Sequence, residues 1–292
     1  MSTTETNAEI KDVSDTALWV AVFREQESKR PDALFKDPYA GILTGDRGRK
    51  IAASMSSSIY TGWAVIIRTT IIDSFLERLI AEGVDTVVNL GAGLDTRPYR
   101  MKLPENLQWI EVDYPHMVKL KEDRLGKEKT TCKLERVGLD LADVAARAKL
   151  LARINAQSKK VVVITEGVTP YLTEDQVASL AKDLRAQSNF RFWITDYFSP
   201  EVFHYMKRNR KQMKQMKNAP FLFNPKNWFE FYANLGWKDR EIRYLADQSQ
   251  KLGRKMPAPW WVKLLMPLLR LRFGNDHPSR KFTAYVLLET KP

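Results

Sequence analysis

The sequence has few of the residues from which many functional sites are built. Its single cysteine, Cys132, excludes an internal disulfide and fits a reducing compartment. The three histidines, His116, His204 and His277, stand far apart with no Cys/His cluster around them, so no metal site is expected. No run approaches the ~20 apolar residues that would cross a membrane as one helix. The first residues, MSTTETNAEIKDVSD, are polar and acidic and lack the apolar segment of a secretory signal. The expectation is a cytoplasmic chain.

What is present is an ordinary globular composition: 292 residues, 44% hydrophobic and 28% charged. The net charge of +12 is localised. Residues 202–217 hold six Lys/Arg and no acid, and residues 248–275 hold another six, again with no acid. The positive field therefore belongs to two segments, and the remainder is neutral on balance.

The N-terminal third reads as helical. DTALWVAVFREQES has Asp15 as a candidate cap, and DPYAGIL places Pro38 at a helix start after Asp37. TGWAVIIRTTIIDSFLERLIAEG reads as a longer helix ending at Gly83, with Ile72, Phe75 and Leu79 at helical spacing. Arg68 falls on that apolar face. Beyond Gly83, short apolar strands alternate with helical stretches: DTVVNLG, LQWIEVD, CKLERVGLDL, KKVVVITEG and FRFWITDYF. That alternation predicts a mostly parallel sheet with helices on both faces. KDREIRYL and KFTAYVLLET are two late strands, expected to pair antiparallel with the last at the sheet edge. The expected organisation is one domain over 1–292. A helical cap covers 1–83, a sheet core covers 84–198, 224–245 and 281–290, and basic lid insertions cover 199–223 and 246–280.

Ligands of such sheets bind beyond the carboxyl ends of the strands. Here those ends deliver Gly91, Ala92, Gly93 and Asp95 from the first strand, Asp113 from the second, Asp140 from the third and Glu166 from the fourth. Two close glycines permit a tight turn and close backbone approach, and an acid twenty residues after Gly93 is placed to take ribose hydroxyls. The third glycine of the dinucleotide fingerprint is missing, and Asp95 would repel a pyrophosphate. S-adenosylmethionine carries no phosphate, brings an ammonium and a sulfonium, and suits an acid-rich edge better. Arg68 would be costly to bury alone and could pair with that molecule's carboxylate.

The stretches TALWVAVFREQES, LFKDPYAGIL, IIRTTIIDSFL, VVNLGAGLDTRPYR, WIEVDYP and ITEGVTPYL together resemble the leucine carboxyl methyltransferase-like family, which includes bacterial polyketide O-methyltransferases. The resemblance runs over roughly residues 15 to 245. It implies an α/β class I methyltransferase fold, Rossmann-like, with a seven-stranded mostly parallel sheet and an antiparallel last strand. It also implies S-adenosylmethionine as cofactor, S-adenosylhomocysteine as product, and roles for individual residues. Arg68 would hold the cofactor carboxylate and Gly91 would lie under its methionine portion. Asp113 would bind ribose, Asp140 and Leu141 would lie against adenine, and Glu166 would sit near the amino group and sulfonium. Asn89 departs from the pattern, because many methyltransferases carry an acid there, and this is expected to weaken the local network without abolishing binding.

The expected activity is methyl transfer to a carboxylate or phenolic hydroxyl of a small or lipophilic acceptor. An acceptor already ionised needs no base, whereas a phenol gains from one. Tyr171 and His204 are the candidates for handling the acceptor. PAPWWVKLLMPLLRLRF, with Trp260 and Trp261, reads as a lid over the acceptor site or as an interfacial helix over 258–273 on an anionic membrane. The latter leaves a second functional reading, a membrane-associated binding protein with weak or lost catalysis. Nucleic acid is not the expected partner, because the basic run from Met206 to Lys217 has no interleaved aromatics.

Overall fold

The computed structural model describes residues 13–55, 58–203, 217–257 and 278–291. His204, Trp260, Trp261 and most of both basic segments lie outside the described residues.

Three helices come first: α1 (Val13–Ser28), α2 (Ala40–Ser54) and α3 (Ser58–Ala81). Asp15, expected as a cap, lies instead within the first turn of α1 and pairs with Arg47 of α2. Asp37 does the capping before α2, accepting from the backbone N–H of Tyr39 and Ala40. The alternating part follows as β1 (Thr86–Leu90), α4 (Arg97–Arg100), β2 (Gln108–Asp113), α5 (Pro115–Leu125) and β3 (Lys133–Gly138). It continues through α6 (Val144–Gln157), β4 (Val161–Thr165), a 3-10 turn (Thr169–Tyr171), α7 (Glu174–Arg185) and β5 (Phe190–Phe198). The chain closes with α8 (Trp228–Asn234), β6 (Trp237–Tyr244), α9 (Leu245–Lys251) and β7 (Thr283–Thr290).

The seven strands lie in the order β3-β2-β1-β4-β5-β7-β6. β1 to β5 are parallel, and β7 runs antiparallel to both β5 and β6. The late pair is antiparallel as expected, but the last strand is not at the edge. β7 inserts between β5 and β6, which leaves β6 outermost. β1 and β4, Val/Ile-rich and buried at every position, are the central strands. Side chains alternate between the two faces. Val88 joins Leu151, Leu184, Trp193 and Trp237 on one side. Val87 joins Ile67, Ile71, Phe75 and Leu79 of α3 on the other. Trp19, Phe23, Ile51, Met55 and Val65 form a separate apolar cluster between the N-terminal helices, with Tyr171 packed against it. That cluster fixes the helical cap beside the strand ends. Among the described residues, no helix is long and apolar enough to cross a membrane.

Candidate active site

The strand order reverses between β1 and β4, so the carboxyl ends of these two strands open the switch-point crevice. Gly91 and Gly93 follow β1 with φ of 68° and 48°, left-handed values that side chains rarely adopt. A Cβ on Gly91 would lie 2.4 Å from Cγ2 of Val168, in the loop after β4. The glycine thus lets two strand-end loops close on each other. Asp113, at the end of β2, accepts from the Gly93 N–H at 2.6 Å and from the Tyr114 N–H at 2.7 Å. Burial pushes its carboxyl above the usual range, against the pull of those two donors.

Next to this turn lies a buried charge network. Arg97, 2% exposed, donates through one terminal nitrogen to Asp95 Oδ2 and Glu166 Oε2, each at 2.8 Å. Its Nε donates to Asp73 of α3 at 2.7 Å. Arg100 donates to both Asp73 oxygens at 2.8 Å. The Asn89 amide donates to Asp95 at 2.8 Å. Burial alone would raise the Asp95 and Glu166 carboxyls. Arg97 together with Lys121 and Arg24 outweighs it for Asp95, and Arg97 with Arg68 outweighs it for Glu166, so both carboxyls are held below the usual range. Arg68 places Nε 2.8 Å from Glu166 Oε1, but the two atoms are not aligned as a hydrogen bond. No hydrogen bond from its terminal nitrogens is found among the described residues.

The structure therefore brings Arg68, Gly91, Ala92, Gly93, Asp95, Asp113 and Glu166 to one edge. Asp140 is exposed at the rim and caps its own turn through the Ala142 N–H at 2.9 Å. Leu141, half-buried, packs against the core beside it. Tyr171 stands edge-on to Phe221, ring centroids 5.1 Å apart, and burial pushes its hydroxyl up to about 12. It is a hydrogen-bond donor at neutral pH, not a base. Asn89, expected to weaken the network, belongs to it; a carboxylate at 89 would face Asp95 directly.

Five residues of this site were not singled out from the sequence: Arg97, Arg100, Asp73, Asp196 and Tyr285. Asp196 lies near the carboxyl end of β5, two residues before Phe198, and the strand-end rule points to it. It accepts from the Tyr285 hydroxyl at 2.5 Å and the Gly167 N–H at 3.0 Å. Asp73 lies five residues beyond Arg68 on α3. Tyr285 gave no local signal. Among the described residues, no group of three or more His, Cys, Asp and Glu side chains is arranged to hold a metal.

The strand order, the glycine turn after β1 and the acids at successive strand ends define the Rossmann-like fold of class I methyltransferases. The chain belongs to the leucine carboxyl methyltransferase family, whose model matches residues 17–185. A protein of Streptomyces coelicolor, provisionally named an S-adenosyl-L-methionine-dependent methyltransferase, is 34% identical over 183 residues, 59% of this chain and 64% of that one. The chain thus spans somewhat less than two thirds of that relative. A Frankia alni protein of the same provisional name is 27% identical over 84% of this chain and 90% of its own length. A crystal structure from Thermobifida fusca, provisionally named a methyltransferase, superposes with TM-score 0.57 at 11% identity, covering 99% of this chain and 97% of that one. At that identity the likeness speaks for the fold alone.

Proposed function

We propose that this chain is an S-adenosylmethionine-dependent O-methyltransferase acting on a carboxylate or phenolic hydroxyl of a small or lipophilic acceptor. The observation that carries the reading is the pairing of Arg68 with Glu166 beside the Gly91–Gly93 turn. Arg68 has terminal nitrogens to offer a carboxylate, and Glu166 has one oxygen, Oε1, outside the grip of Arg97. A ligand satisfying both must carry a carboxylate and an ammonium close together, as the amino-acid end of S-adenosylmethionine does. Asp113, already fixed by two backbone donors, keeps acceptor capacity for the two ribose hydroxyls.

S-adenosylmethionine, when bound, supplies a methyl group made electrophilic by the sulfonium. The protein's task is then mostly to hold an acceptor oxygen in line and to exclude water. Tyr171, with its hydroxyl protonated and already hydrogen-bonded with Thr16 of α1, would orient the acceptor through the proton it can still donate. That suits a carboxylate, which needs no proton removed.

Calorimetry with S-adenosylmethionine and S-adenosylhomocysteine tests the reading, and no binding at roughly tens of micromolar sinks it. Arg68→Ala is expected to weaken S-adenosylhomocysteine by about tenfold or more through the lost charged pair. Asp113→Ala is expected to cost about 1–3 kcal/mol of affinity for both compounds. Unchanged affinity in Asp113→Ala would mean that the ribose lies elsewhere.

A further inference from the structure

We propose that Arg97 is the positioning residue that makes this site selective for a ligand with a free α-amino-acid group, by fixing the one oxygen of Glu166 that the ligand does not use. The inference rests on the cofactor reading above. Glu166 follows β4 on a loop, and its carboxylate has two cationic neighbours. Arg97 donates an aligned hydrogen bond to Oε2 at 2.8 Å, while the contact of Arg68 with Oε1 is unaligned. Arg97 thus sets the direction in which Oε1 points.

Arg97 is itself held on every side. Asp73 takes its Nε, Asp95 shares its terminal nitrogen with Glu166, and its backbone N–H donates to Asp95 at 3.0 Å. The preceding residue, Thr96, donates its hydroxyl to Asp37 of the cap segment at 2.7 Å. A guanidinium locked by α3, the β1 turn and the cap cannot follow Glu166 if that side chain swings away. Such support is what keeps a binding group in one geometry.

The charges give the second argument. Asp73, Asp95 and Glu166 pair with Arg68, Arg97 and Arg100, so the direct ion pairs balance three against three, with the Asp196 carboxyl near Arg68 standing outside them. A zwitterion entering between Arg68 and Glu166 keeps that balance. A lone anion or lone cation would unbalance a poorly solvated site, where uncompensated charge is expensive. Arg97 is therefore predicted to act on the amino-acid end of the ligand and to be indifferent to its adenosine.

The probes are S-adenosylhomocysteine and 5′-methylthioadenosine, which share the adenosine thioether and differ by the amino-acid group. Calorimetry on the full chain should show the wild type preferring S-adenosylhomocysteine. In Arg97→Met that ligand should weaken by about tenfold or more, with 5′-methylthioadenosine changed by less than about twofold. Arg97→Lys should restore part of the preference, and thermal unfolding confirms which variants fold. Should Arg97→Met not fold, Arg97→Lys carries the test, with an intermediate loss of preference expected. Equal weakening of both ligands, or an unchanged preference, overturns the inference. A wild type that binds neither ligand overturns the cofactor reading and this inference with it. One that binds both equally overturns only the amino-acid assignment on which selectivity depends.

Discussion

Gly91→Ala is expected to lower stability by about 2–4 kcal/mol and to remove measurable S-adenosylhomocysteine binding. Two separate physical causes converge at this position. The backbone sits at φ 68°, where any side chain is strained. The new methyl would also lie 2.4 Å from Val168 Cγ2, too close for any real contact, so one of the two loops must move. Val168 comes two residues after Glu166, so the displacement falls on the loop that carries the proposed ammonium ligand. The Gly91 N–H donates to the Val112 carbonyl at 2.8 Å, which ties the turn to β2 and limits its freedom to yield. Gly91→Ala/Val168→Ala separates the causes. It relieves the contact and leaves the strain, so urea denaturation should show roughly half of the lost stability returning. No recovery in the double variant would place the whole effect in the backbone.

The contrast between Gly91 and Asp95 shows how far local reading reaches. Gly91 was legible because a strand followed by close glycines leaves few geometries for the turn. Asp113 and Glu166 were legible for a similar reason: a polar residue at the end of a buried parallel strand must emerge at the ligand edge. By sequence alone Asp95 is charge available to a cationic ligand. Its carboxylate is instead engaged by Arg97 and Asn89, and its pairing with Arg97 also removes much of its expected repulsion of a phosphate. Those partners lie two residues ahead and six behind across an irregular turn, a spacing that no helical or strand periodicity describes. The cofactor reading now rests on Arg68, Glu166 and Asp113. The order of the late strands was illegible for a related reason. β7 reaches β5 across residues 199–282, and its Val286 and Leu288 suit an inner or an outer strand equally well as sequence.

Asp196→Asn is expected to stabilise the protein at pH 7 by about 3 kcal/mol, an advantage that disappears toward pH 4. Asp196 is buried near the end of β5, facing Tyr285 of β7, Gly167 and Glu166 after β4, and Arg68 of α3. Burial raises its carboxyl from an ordinary 3.8 to about 6, despite the Tyr285 hydrogen bond and the nearby Arg68 charge. Between those two values the folded protein keeps a proton that the unfolded chain has released. Stability attributable to this group therefore falls as pH rises through the window, and the full cost persists above it. Asparagine has no proton to lose. Its carbonyl can accept from the Gly167 N–H while its amide donates to the Tyr285 oxygen. Glu166, held below the usual range, contributes the opposite slope at lower pH in both proteins, so it largely cancels in their difference. Urea midpoints at pH 4, 5, 6 and 7 should show that difference growing from nothing to a plateau. A difference independent of pH would mean that Asp196 is ionised throughout. The Arg68 charge would then be shared between two carboxylates, and less of it would be left for the cofactor.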